Sequence, residues 1–136
     1  MTGIQSLGIH HLALQASDVP AVAAFYRDLL GLPEVARQHR PDGSLRSIWL
    51  SLRSGGTSAD GFLAVEPREG GAPPAGGAPG GLSMVALRIA PGAREAVRTA
   101  LAARGVPVER ETGWTLYVRD PEGTLVGLSH HPDPAP

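Results

Sequence analysis

His11 and Glu66 are the residues of this chain best suited to proton chemistry. Each falls on the polar side of an alternating run: His11 opens His11-Leu12-Ala13-Leu14-Gln15-Ala16, and Glu66 ends Phe62-Leu63-Ala64-Val65-Glu66. An imidazole oriented by a carboxylate forms an acid–base pair in which the carboxylate sets the tautomer. The plainer reading of His11 is a polar pocket histidine that does no chemistry. Nucleophilic catalysis has no support. The chain has no cysteine, and no Gly-x-Ser-x-Gly, zincin helix or Walker-type loop occurs in it.

The elements that position these residues are repeated. Residues 11–17 read His-Leu-Ala-Leu-Gln-Ala-Ser and residues 84–90 read Met-Val-Ala-Leu-Arg-Ile-Ala, an offset of 73. Each run leads into an Ala-rich helical stretch and then a similar exit, Gly31-Leu32-Pro33-Glu34-Val35 and Gly105-Val106-Pro107-Val108. In the first half, Ile9–Ala16 reads as a strand. A helix capped by Ser17 or Asp18 follows, with Pro20 in its first turn and Val22, Phe25, Leu29 and Leu30 as its apolar stripe. Strands are predicted over Glu34–His39, Arg46–Arg53 and Gly61–Glu66, with Pro41-Asp42-Gly43 turning between the first two. In the second half, Leu82–Ala90 reads as a strand and Ala93–Arg104 as a helix with Ala96, Val97, Ala100 and Leu101 inward. Strands Pro107–Glu111, Trp114–Arg119 and Thr124–His130 complete it, the last two joined by a type I turn at Asp120-Pro121-Glu122-Gly123.

Strand alternation sorts the side chains into two faces. One is aliphatic: Leu12, Leu14, Ile48, Leu50, Leu63 and Val65, then Val85, Leu87, Leu116, Val118, Val126 and Leu128. The other mixes small, aromatic and polar groups, which suits a ligand-accepting cleft better than a dry core. From it come the candidate ligand-binding residues. The first half offers His11, Gln15, Trp49, Phe62 and Glu66; the second offers Met84, Arg88, Tyr117, Arg119 and Ser129. Trp49 and Tyr117 are flat and suit planar ligands, or simply cover the sheet. Arg88 and Arg119 favour an anionic group if they turn inward, and are solvated rim charges otherwise.

Composition bounds the rest. A chain of 136 residues with 42% hydrophobic content is expected to form one domain, spanning 1–136. Its parts are a first module at about 7–67, a linker at 68–81, a second module at about 82–131 and a tail at 132–136. Gly70–Gly81 is too rich in Gly and Pro for a packed element, and it leads into a strand without a Lys, so a phosphate-cradling loop is disfavoured against a flexible linker. A net charge of −1 gives no footprint for nucleic acid. No run is long and apolar enough for a membrane span and no signal sequence is evident, so a cytoplasmic protein is expected.

Four phrases carry a family resemblance: Gly8-Ile9-His10-His11-Leu12-Ala13-Leu14, Ser17-Asp18-Val19, Phe25-Tyr26-Arg27-Asp28-Leu29-Leu30-Gly31-Leu32, and Val118-Arg119-Asp120-Pro121-Glu122-Gly123-Thr124-Leu125-Val126. In this order, within a tandem βαβββ layout, they resemble the vicinal oxygen chelate superfamily. That group includes glyoxalase I, extradiol dioxygenases, fosfomycin-resistance transferases and bleomycin-binding proteins. The resemblance implies an α+β fold, two tandem βαβββ modules forming an open, curved mixed sheet around a cleft with helices outside.

It also implies where a divalent ion (Ni, Mn, Fe or Zn) would be held in metal-using members. His11 matches the first ligand position. The second-half histidine falls on Met84, the last-strand glutamate on Gly127, and the first half's acid on Ala64, with Glu66 two residues on. One ligand position is retained, so no metal or other cofactor is expected, a divalent ion held by His11 with Glu66 or His131 being the alternative. The expected function is metal-free binding of a small aromatic or anionic molecule in the cleft between modules. One alternative is an enzyme of the same superfamily (lyase, transferase or dioxygenase) using His11, with Glu66, as acid–base residue or as ligand of an incomplete metal site. A second is an interaction module with a vestigial cleft. The expected partners are a small-molecule ligand and a second copy of the chain, since members of this family commonly pair as homodimers, with no nucleic acid and no membrane.

Overall fold

A computed structural model describes residues 5, 7–68 and 84–133. The chain divides into two compact units, Met1–Gly70 and Gly71–Pro136. Residues 69–81 of the expected linker and 134–136 of the tail lie outside the described residues.

The first unit is a βαβββ module. Its elements are β1 (His11–Ala16), α1 (Val19–Ala24), β2 (Glu34–His39), β3 (Leu45–Ser51) and β4 (Phe62–Pro67). The sheet order is β1-β4-β3-β2, with β1 parallel to β4 and the other pairs antiparallel. Register preserves the alternation read from the sequence: Leu12 lies opposite Leu63, Leu14 opposite Val65, Ile48 opposite Val65 and Leu50 opposite Leu63. That aliphatic face is buried apart from the half-buried Leu12, and α1 packs on β3 and β4. Removing such a surface from water is the main driving force for the module.

Asp18 rather than Ser17 caps α1, accepting a hydrogen bond from the Ala21 amide at 3.0 Å. The helix then widens into a π-type turn over Phe25–Leu29, where the Leu30 amide bonds the Phe25 carbonyl five residues back. The wider turn carries an extra residue round the axis, so Phe25 and Tyr26 are both buried while Leu29 and Leu30 are only half-buried. The expected stripe is therefore corrected: Tyr26, fully buried, replaces Leu29 and Leu30. Gly31, at φ 79°, ends the segment.

The second unit repeats the layout with β5 (Val85–Arg88), α2 (Arg94–Ala103), β6 (Arg110–Glu111), β7 (Thr115–Arg119) and β8 (Leu125–Ser129). Its order is β5-β8-β7-β6, with β5 parallel to β8. Val85, Leu116, Val118, Val126 and Leu128 are buried on one face. The β7–β8 turn forms as read, with the Gly123 amide on the Asp120 carbonyl at 2.9 Å and the Asp120 side chain accepting from Glu122 and Thr124 amides. Two expectations fail. Pro107–Glu111 yields only a two-residue strand, and Trp114 stays outside β7 and exposed.

The inward stripe of α2 also differs. Leu101 is buried and Val97 half-buried, but Ala96 and Ala100 are exposed. The reason is Arg94, whose side chain is only 13% exposed. Its guanidinium donates to the Thr112 carbonyl at 2.7 Å and to Nε2 of the buried His130 at 3.1 Å. That anchor turns the Arg94–Val97–Leu101 line inward, at the helical spacing of three and four.

Candidate functional site

The polar face of the first module is organised in three rows across the sheet. His11 pairs with Phe62, and Phe62 with Ser51. Ala13, Ala64, Trp49 and Ala36 make the second row. Gln15 pairs with Glu66 and Ser47 with Gln38, and continuing the Ile48–Val65 register by one residue sets Ser47 opposite Glu66. The rows run from aromatic through small to polar.

Three rings close up on this face. Phe62 is stacked against His11, with centroids 4.8 Å apart and planes 4° from parallel. On its other side it meets Trp49 at 4.2 Å and 18°. Phe62 is 4% exposed as a result. The Trp49 indole N–H donates to Ser47 Oγ at 3.0 Å, which fixes the ring over the small row. Small residues at Ala13, Ala36 and Ala64 leave room for so wide a side chain.

Beside the stack is a concavity of about 490 Å³, within the range of small-molecule sites. His11, Trp49, Phe62 and Glu66, all read from the sequence, line it. Gln15 shares their face but is exposed at the end of the polar row, accepting from Arg68 at 3.3 Å. Gln38, His39 and Arg46 also line the concavity and were not anticipated. Gln38 was accessible by counting in twos from Ala36. His39 and Arg46 were not, because a register shift between Gln38 and His39 breaks the alternation there.

His10 is the other residue missed. It precedes β1, and its ring meets both His11 and Phe62 edge-on, at 5.2 and 5.6 Å. Its Nδ1 lies 2.9 Å from Nδ1 of His11, so one imidazole donates to the other. The expected pairing of His11 with Glu66 does not form. Four residues separate Glu66 from the partner of His11, which is about 13 Å along the strand. Among the described residues Glu66, Gln38, His39 and Arg46 have no side-chain hydrogen-bond or ion-pair partner.

The candidates of the second module are placed differently. Tyr117 lies under the Arg110 guanidinium, 4.3 Å from its ring centroid. Arg119 is clasped by Glu109 through two contacts, at 2.8 and 3.1 Å, and by the Gly123 carbonyl. The Arg119 hydrogen bonds hold the Glu109 carboxyl below its ordinary range. Arg119 is thus a paired rim charge. Arg88 is exposed at the end of β5, opposite Ser129, whose hydroxyl accepts from Thr115 at 2.9 Å. Met84 is 37% exposed, with its sulfur 3.6 Å from where a Cβ on Gly127 would lie. His131 packs edge-on against Trp114 at 5.3 Å.

The family model described as the Glyoxalase/Bleomycin resistance protein/Dioxygenase superfamily matches residues 8–128. The chain belongs to this superfamily. Solved structures with the same fold include a glyoxalase/dioxygenase from Nostoc punctiforme, 18% identical, with a TM-score of 0.73 and coverage of 98% of this chain and 99% of that one. A lactoylglutathione lyase from Agrobacterium tumefaciens is 22% identical, with a TM-score of 0.63 and coverage of 93% and 95%. TnmS3, an antibiotic binding protein from a Streptomyces species, is 23% identical, with a TM-score of 0.69 and coverage of 94% and 98%. No curated protein matches the chain significantly.

The resemblance places the superfamily's metal positions at His11, Ala64, Met84 and Gly127 of this chain. His11 supplies an imidazole, Met84 a thioether, and Ala64 and Gly127 nothing. Hard and borderline divalent ions prefer nitrogen and oxygen donors, so a thioether in place of imidazole does not suit them. Glu66 shares a face with His11, but a single ion bonded to both would need the two side chains laid flat toward each other along the sheet. Among the described residues no group of three or more His, Cys, Asp or Glu side chains gathers for a metal. A donor set drawn from these four positions does not suit the superfamily's ion. No helix among the described residues is long and apolar enough to cross a membrane.

Proposed function

We propose that this chain is a binding protein for a planar aromatic small molecule, held on the polar face of the first module without a metal ion. The observation that carries this reading is the His11–Phe62–Trp49 stack beside the concavity. A rigid, hydrogen-bonded indole offers a flat apolar surface with little entropy left to lose, and aromatic stacking adds about 0.5–1.5 kcal/mol beyond area burial. The unpaired polar groups around it fix orientation rather than supply the bulk of affinity. The antibiotic-binding neighbour shares the fold and gives the reading a precedent.

A second reading, an enzyme using His11 as acid or base, has one observation in its favour. His10 engages Nδ1 of His11, and no partner takes Nε2 among the described residues. The experiment that separates the two is metal analysis and ligand titration on the untagged protein. Binding of planar aromatic compounds, detected by thermal shift and lost in Trp49→Ala, supports the binding reading. Stoichiometric Ni, Mn, Fe or Zn that disappears in His11→Ala overturns the metal-free reading, and no stabilisation by any aromatic compound overturns ligand binding. We also propose a cytoplasmic homodimer; sedimentation as a monomer at micromolar concentration overturns the dimer.

A further inference from the structure

Charge is distributed unevenly over this protein's paired and unpaired groups, and the inequality says what the ligand carries. Glu34, Glu95, Glu109 and Glu111 are all in ion pairs with arginines. Glu66 has no partner among the described residues, although it is half-buried and lies inside the polar row beside Trp49. Its neighbours do not meet its need. Neither Gln15, which accepts from Arg68, nor Ser47, which accepts from the Trp49 indole N–H, makes a hydrogen bond to Glu66. An unpaired carboxylate at the edge of an aromatic floor is partly desolvated, and its two oxygens both accept.

Arg46 has no partner either, but its situation differs. It is exposed near the hairpin tip, where water satisfies the guanidinium fully. Of the two unpaired charges, the half-buried carboxylate gains more from a ligand, because a charge-assisted hydrogen bond strengthens as water is excluded.

From this juxtaposition we infer that the ligand is a planar nitrogen heterocycle presenting two adjacent N–H donors, which Glu66 reads as a fork while the ring lies against Trp49. This rests on the binding reading above and narrows it from aromatic or anionic molecules to amidine-like, donor-edged ones. Gln38, across Ser47 in the same row, is placed to engage a third polar atom of the ring edge.

The test uses the full chain with Trp114→Phe, so that Trp49 is the one tryptophan reporting. Three probes of similar size are titrated by fluorescence: 2-aminobenzimidazole with a donor–donor edge, benzothiazole without N–H groups, and 2-naphthoate as an anion. Tighter binding of 2-aminobenzimidazole, by about tenfold or more over both others, is the expected result. Glu66→Gln, nearly isosteric, should weaken that probe by about tenfold and leave 2-naphthoate within about twofold. Preference for 2-naphthoate, abolished by Arg46→Ala, overturns the donor-edge assignment while leaving aromatic binding intact. A ranking unchanged by Glu66→Gln overturns it as well. Absence of quenching by all three overturns the inference together with the binding reading beneath it.

Discussion

The imidazole of His11 lies flat on the ring of Phe62, with centroids 4.8 Å apart and planes within 4° of parallel. The two residues are cross-strand partners on the parallel pair β1–β4, so backbone register alone brings them side by side. Trp49 then covers the opposite side of Phe62. Phe62 is therefore the keystone of the site and part of its packing at once. Phe62→Ala should cost about 3–5 kcal/mol in urea unfolding. Phe62→Leu, which keeps most of the volume and loses the stack, should cost about 1–2 kcal/mol. Equal losses for the two variants would show that the stack contributes nothing beyond bulk.

Arg94 and His130 form a buried pair in the second module. Nε2 of His130 accepts from Arg94 at 3.1 Å, while Nδ1 donates to the Asp133 carbonyl at 2.6 Å. Those partners fix one tautomer. Removing the guanidinium strands a ring nitrogen and the Thr112 carbonyl, so Arg94→Ala should destabilise by about 2–3 kcal/mol. A double-mutant cycle with His130→Ala checks it; a coupling energy near zero would mean that Arg94 matters only through its packing.

How far such features could be read beforehand depended on whether local rules stayed local. In the first module alternation persisted over β1, β3 and β4, so both faces and four of the five candidates there that line or flank the stack (His11, Trp49, Phe62 and Glu66) followed from counting in twos. A cap at Ser17 or Asp18, the Gly31 stop and the Asp120–Gly123 turn were equally legible, because each is set by its own few residues. Legibility ended where one residue slipped the count: at the π-type turn that buries Tyr26, and at the β2 bulge that brings in His39. The face of α2 was misread for another reason. A charged residue, Arg94, outcompeted two alanines for the inward side, and its partner lies 36 residues away in sequence.

Glu34 supplies a pH-dependent term. Hydrogen bonds from Arg37, then from Arg27, hold its carboxyl below the ordinary range. A carboxyl whose folded value is depressed contributes stability above its unfolded value and loses it as pH falls through the folded one. The side chain is 27% exposed, so the contribution is expected at about 0.5–1 kcal/mol near neutral pH. Glu34→Gln should show that deficit at pH 7 and none well below the ordinary carboxylate range near pH 4.3. A deficit that persists in acid would assign the effect to shape rather than charge.

The short first helix of the fold depends on its cap. α1 proper runs over only six residues, Val19–Ala24, and Asp18 satisfies its Ala21 amide. Asp18→Ala should cost about 1 kcal/mol and Asp18→Asn considerably less, since the amide oxygen also accepts. Equal losses would place the role of Asp18 in its charge near the helix start instead of in the hydrogen bond.

Gly127 tests whether the fold itself forbids a side chain at the position to which the resemblance assigns the last-strand ligand. A Cβ built there would meet Thr115 Cγ2 at 3.4 Å, Ala86 Cβ at 3.6 Å and the Met84 sulfur at 3.6 Å. These are van der Waals contacts, two of them with flexible or movable groups, and the backbone at Gly127 is not in the left-handed region. Gly127→Ala should therefore leave stability within about 1 kcal/mol of the parent, with lower unfolded-state entropy offsetting a small adjustment of Met84. In that case sterics do not account for the absence of a carboxylate at this position. A loss above about 3 kcal/mol in chemical denaturation would reverse that conclusion and make the glycine a packing requirement of the β7–β8 face.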